Sequence, residues 1–193
     1  MEQFDSEYQA AIDAAPASAE AIADAGHFDR KGWNWPLYRP LVEFAVEHRW
    51  PIIAANLSRA EARVIVRDPA ASGLPPAPAL AAELERDIAD SHCGERPPEK
   101  LLAGMVEAQR ARDARMASRL SGRTVLITGD GHARRDRGVP LYLPGADIVS
   151  IGFIEIDPDK KSPRDYLAGL FTAQSFDYLW FTSRAKRDDP CQR

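Results

Sequence analysis

The apolar run Val125-Leu126-Ile127-Thr128 stops abruptly at Gly129-Asp130-Gly131-His132. No other stretch limits the possible folds as much. A short run without polar alternation reads as a strand buried on both faces, the pattern of parallel sheets. In open α/β sheets, ligands bind outside the carboxyl ends of such strands. Here the strand end is followed by two glycines, an imidazole and the charges of Arg134, Arg135, Asp136 and Arg137. Glycine lets a ligand approach the backbone closely. Any site in this protein is expected to include this loop.

The rest of the chain supplies the helices such a sheet needs. Residues 3–15 read as a helix stopped by Pro16, and Ser18 caps a second over 19–25 that Gly26 closes. An amphipathic helix is expected over 37–48, with Pro40 in its first turn, where its missing N–H costs little. Pro51–Asn56 reads as a buried strand, and Ser58 caps a helix over 59–66. Five prolines and glycines make 68–78 a loop. A helix over 79–91 follows, then a long one over about 99–120, ended by Gly122. Further strands are expected at 124–128, 148–156 and 178–181. Helices alternating with short apolar strands give an α/β fold with a mainly parallel sheet. The 193 residues suit a single domain, with 58–120 as a helical insertion.

Net charge is −4, which leaves no broad electrostatic footprint for nucleic acid. No apolar run approaches the ~20 residues that span a membrane, and residues 1–20 are acidic rather than a signal peptide. Cys93 and Cys191 form no metal knuckle and read as unpaired thiols, which suits a reducing compartment; as given, the chain reads as cytoplasmic.

The long helix contains a conflict. Leu102, Val106, Gln109, Asp113, Met116 and Leu120 recur at spacings of three and four, so they share one face. Gln109 and Asp113 are polar, and a carboxylate on an inward stripe must be paired or hydrogen-bonded. Either both face a polar cavity, or Asp113 pairs with an arginine such as Arg110 or Arg112. His132 at the strand end can ligate a metal, transfer a proton or donate a hydrogen bond. Arg134, Arg135 and Arg137 can meet a carboxylate or phosphate, or stay solvated. His27, His48 and His92 read as structural or solvated. Trp33, Trp35 and Tyr38 read either as core or as the lining of a ligand groove.

Taken together, these stretches resemble the ChaN-like haem-binding uptake proteins, in the superfamily with TIKI, TraB and erythromycin-esterase-like proteins. The matching phrases are Met1-Glu-Gln-Phe-Asp5 with Gln9, Gly32-Trp33, Tyr38 to Ala45, Ile53-Ala-Ala-Asn56, Gln109, Asp113 to Ala117, Gly129 to Arg134, Gly138-Val-Pro140, Phe176 to Thr182, and Asp189-Pro-Cys191. They span nearly the whole chain in order. The resemblance implies a three-layer α/β/α fold with a mainly parallel sheet. It makes Gly129 and His132 the family's second GxxH element and Glu2 the glutamate after its second strand. It implies haem binding in iron uptake, often as a dimer, with His132, Gly129, Gly131, Arg134, Gln109, Asp113, Tyr38 and Arg39 as the cofactor-binding set. The iron ligand is left open between His132, a tyrosine or another residue. In metal-dependent relatives His132 and Glu2 would hold a divalent transition metal. A hydrolase that activates water with Glu2, Asp113 and His132 is the alternative. The family's first strand and its GExH element would lie upstream of Met1, so the chain is expected to be truncated at its N-terminus. Export or membrane anchoring of full-length relatives leaves location open.

Overall fold

The computed structural model describes residues 1–93, 95–167 and 174–185. The fold is α/β: helices α1 (Gln9–Ala14), α2 (Ala19–Ala25), α3 (Trp35–Glu47), α4 (Arg59–Arg67), α5 (Pro78–Ser91), α6 (Glu99–Ser118) and α7 (Asp130–Ala133), with strands β1 (Ile151–Glu155) and β2 (Tyr178–Thr182). Local chemistry sets most boundaries. Ser18 accepts from the Ala21 amide at the start of α2. Ser58 and Glu61 form a reciprocal capping box on α4, satisfying two otherwise orphaned N–H groups. β1 and β2 pair in parallel, Ile151 opposite Tyr178 through Glu155 opposite Thr182.

Four expectations need correction. Residues 3–15 are not one helix: Glu2–Gln3 form a turn and Phe4 a bend, a 3-10 turn covers Ser6–Tyr8, and α1 starts only at Gln9. Tertiary bonds override the helical spacing of Phe4, Tyr8 and Ile12. Met1 N donates to the Ile53 carbonyl, Ser6 N to that of Asn56, and Glu2 N to that of Ile127 at 3.0 Å. Second, the expected strands at 51–56 and 124–128 form no regular ladder. The first meets Met1–Asp5 through a single parallel bridge, Asp5 with Asn56. Ala55 N divides its bond between the Met1 and Phe4 carbonyls, so the N-terminal segment bends and keeps no steady register. Third, α3 starts two residues early, because Asn34 turns the chain with φ 52°. Pro40 therefore sits inside the helix and removes the bond to the Pro36 carbonyl. Fourth, Cys93 is disulfide-bonded rather than an unpaired thiol, while Cys191 lies outside the described residues.

The main core gathers Phe4, Ile12, Ile22, Phe28, Trp35 and Val42, with Trp33 and Tyr38 packed at its margin. Trp35 is thus core, its indole N–H donating to Glu20 at 2.8 Å. A second cluster joins Leu57 and Ile65 to Ala108 and Ala111, locking α4 against α6. At that crossing Gly104 lies so close to the Val66 backbone that a Cβ would sit 2.0 Å from its carbonyl oxygen. Among the described residues no helix is long and apolar enough to cross a membrane.

Candidate functional site

The Gly129–His132 loop, expected as irregular, closes into the single helical turn α7, with the His132 and Ala133 amides both donating to the Gly129 carbonyl. Two glycines disguise that turn in the sequence. The turn is held from behind by Gly138, where a Cβ would lie 2.2 Å from the His132 carbonyl oxygen. The Ser150 hydroxyl holds it from the β1 side by donating to the Ala133 carbonyl.

Three side chains from two elements converge on the His132 ring. From α6, Asp113 Oδ1 lies 2.6 Å from Nδ1. From the N-terminal segment, Glu2 Oε1 lies 3.6 Å from Nε2. Also from α6, the Gln109 amide nitrogen lies 3.3 Å from Nδ1 and 3.2 Å from Nε2. Near-equal distances mean that it caps the ring rather than aligning with one lone pair. Glu2 is itself fixed, its Oε2 accepting from the Thr128 hydroxyl and the Gly129 amide, both at 2.7 Å. Glu2, Asp113 and His132 are all buried. The polar interruption of the α6 stripe thus has a partner: Asp113 is paired with a histidine, where sequence reasoning offered an arginine.

Burial pushes the Asp113 carboxyl up to about 6, against the opposing hydrogen bond from His132. Burial alone would lower His132, but the Asp113 hydrogen bond and charge, with the Glu2 charge, more than offset it and raise its pKa. Both groups therefore bind protons more tightly folded than unfolded, so stability should fall as pH rises. The Asp113 contribution changes from the unfolded carboxyl pKa of ~3.9 up to about 6. The His132 contribution is complete below its unfolded value of ~6.5 and is lost as pH passes its raised folded value. Urea unfolding at acid, neutral and alkaline pH should show this slope flattened in an Asp113→Asn/His132→Gln double variant. An unchanged slope would refute the coupling.

The remaining residues singled out in the sequence separate into two groups. A Cβ placed on Gly129 would meet only Glu2 within 4 Å, and one on Gly131 would meet nothing, so the outer face of the turn is open. Tyr38 is half-buried, its hydroxyl pKa raised by burial and then by the Glu2 charge, which puts the phenol within electrostatic reach of the site. Arg39 instead pairs on the surface of α3 with Glu43 at 2.8 Å. Arg134 forms a buried two-point pair with Asp136 at 2.9 and 2.6 Å. Arg135 binds Asp177, and Arg137 binds Asp87.

Sequence reasoning missed two contributors, Thr128 and Gln3, and named Arg112 only as a possible partner of Asp113. Thr128 anchors Glu2, and its position as the last residue of the apolar run was the available signal. Arg112 bonds Asn56 at 2.8 Å, and its charge reaches both Asp113 and His132. Gln3 is buried and reaches the Tyr38 hydroxyl; nothing in the sequence marks it except its neighbour Glu2.

Comparison with known proteins agrees with this architecture. The family described as haem-binding uptake, Tiki superfamily, ChaN matches residues 1–143. A solved structure described as cofacial heme binding to ChaN of Campylobacter jejuni is similar with a TM-score of 0.72 and 25% identity, over 92% of this chain and 70% of that one. No curated protein matches. On the family match, which covers most of its length, this chain belongs to the ChaN family of haem-binding uptake proteins in the Tiki superfamily.

Proposed function

We propose that this protein binds haem against the open face of the Gly129–His132 turn. Family membership supplies the ligand class. One observation carries the location: Asp113 takes Nδ1 of His132, leaving Nε2 as the coordinating nitrogen. A metal-ligating histidine commonly has its second nitrogen fixed by a carboxylate in this way. The residues present fit an iron porphyrin chemically. They offer this imidazole, the nearby Tyr38 phenol and open space above Gly131. Bound iron would supply the redox and coordination chemistry; Asp113 and Gln109 would orient the imidazole. Arg39 and Arg134 would join the cofactor set only by leaving their present carboxylate partners.

Titration with haemin should give a saturable Soret shift, with affinity reduced about tenfold or more in His132→Ala. A shift identical in the variant would remove His132 from the site, and no shift at all would sink the reading. Sedimentation with and without haemin tests the dimer that the family resemblance implies.

A second reading rests on the 3.6 Å between His132 Nε2 and Glu2 Oε1. Ligand bonds of about 2.1 Å to each would close an angle of ~120°, acceptable for a divalent transition metal. Glu2, His132 and Asp113 would then activate water as in metal-assisted hydrolysis. Among the described residues no group of three or more His, Cys, Asp or Glu forms a ready metal cluster, so water or substrate would complete the coordination. Zinc binding measured calorimetrically should weaken about tenfold or more in both Glu2→Gln and His132→Ala. Equal zinc affinity in all three proteins would exclude this reading and leave the haem reading untouched.

A further inference from the structure

Of the long helices, α5 is the least embedded. Among its 14 residues only Leu84 is buried, and no side chain caps its N-terminus. Helices in proteins owe most of their stability to an apolar face packed on the core, and α5 buries little of one. Much of what holds it is ionic. Arg137, which follows the His132 turn, donates from Nη1 to both carboxylate oxygens of Asp87 at 2.8 Å, and its Nη2 lies 3.3 Å from Glu83. Arg96 reaches back to Glu85 at 2.8 Å, but an exposed pair of that kind adds little.

Cys93 stands where this helix ends. It follows the C-cap His92 with φ 60°, the left-handed geometry for which glycine is the usual choice at that position. A Cβ is disfavoured there, so the backbone gives no reason for a cysteine; the sulfur does. Cys93 is disulfide-bonded, and the residue is exposed. The chain has two cysteines, and the other is Cys191. We propose that Cys93 and Cys191 form an exposed redox clasp. Closed, it fixes the end of α5 and keeps Asp87 on Arg137; opened, it releases the end of the helix. Opening is thiol–disulfide exchange with a dithiol. The dithiol's thiolate attacks one sulfur, giving a mixed disulfide and one free thiol of the chain; its second thiol then displaces the other chain sulfur. Two electrons and two protons pass to the chain, and the dithiol leaves as a disulfide. An oxidising compartment keeps such a bond closed, and reducing thiols open exposed ones. The clasp is independent of which ligand His132 binds.

The test uses the intact 193-residue chain folded in a glutathione redox buffer. Thiol titration in denaturant should find no free thiol, and proteolytic mapping should find a Cys93–Cys191 peptide pair that separates on reduction. Amide hydrogen exchange is then compared before and after dithiothreitol is added to the native protein. Reduction should speed exchange over residues 87–91 about tenfold or more while leaving α2 unchanged. Cys93→Ser should show the fast α5 rate in both conditions. Free thiols or a disulfide-linked dimer in the untreated protein would overturn the proposal. So would α5 exchange that ignores reduction. Equal acceleration in α2 would overturn it too, because the bond would then staple the whole fold rather than clasp one helix.

Discussion

Replacing Gly104 with alanine should destabilise the protein by about 3 kcal/mol, even though alanine is the better helix former by ~1 kcal/mol. The added methyl would lie 2.0 Å from the Val66 carbonyl oxygen and 2.7 Å from its carbonyl carbon. These are backbone atoms of α4, so no side-chain rotation relieves the contact; α4 must shift relative to α6. That movement loosens Leu57, Ile65, Ala108 and Ala111, which are packed together at the crossing. For a chain of this size the loss corresponds to a Tm lower by roughly 6–12 °C. Thermal unfolding by circular dichroism checks it. A Tm equal to or above that of the parent would mean that α4 and α6 do not approach this closely.

Asp113→Ala should be the most damaging single change at the site. Asp113 is 1% exposed and holds His132 Nδ1 at 2.6 Å. Removing it leaves a buried imidazole without its carboxylate partner and a cavity where the carboxylate was. Breaking a buried pair commonly costs about 3–5 kcal/mol. His132 can shed its proton, which limits the loss to about 2–4 kcal/mol. The pKa of His132 should fall, since burial would then be opposed mainly by the Glu2 charge. Ligand affinity should drop about 10- to 100-fold, the usual result of removing the carboxylate behind a ligating histidine. Asp113→Asn keeps the shape and an acceptor oxygen for Nδ1–H. It should recover most of the stability and part of the affinity while abolishing the raised His132 pKa. An Asn variant as damaged as the Ala variant would show that charge, rather than orientation, is what Asp113 contributes.

The sequence carried unequal amounts of this arrangement. Helices announced by caps were readable to within a residue or two: Ser18 before α2 and Ser58 before α4. The inward position of Asp113 was readable because a helix repeats its faces every three or four residues. Its partner was not, because the Asp113–His132 contact joins residues 19 positions apart through a turn whose glycines argue against helix. The N-terminal segment departs from its local pattern for a related reason. Phe4, Tyr8 and Ile12 have helical spacing, but Met1–Asp5 bonds to Ile53, Asn56 and Ile127. Such long-range bonds outweigh a local periodicity worth a few tenths of a kcal/mol per residue. The arginines after His132 show the limit of reading charge as ligand-binding capacity, since Arg134, Arg135 and Arg137 all meet aspartates of this chain.

The central claim, that haem lies against the His132 turn, is open to one direct measurement. The chain has four histidines, His27, His48, His92 and His132, so selective isotope labelling of their imidazoles gives a four-signal NMR spectrum. Ferric haemin is paramagnetic and broadens nuclei close to it. Stoichiometric haemin should erase the His132 signal while leaving His92, beyond the end of α5, sharp. His48 is the decisive control, because it stacks on Phe44 beside a second apolar cleft lined by Phe44, Trp50 and Ile53. Loss of the His48 signal with His132 intact would put haem in that other cleft and contradict the account.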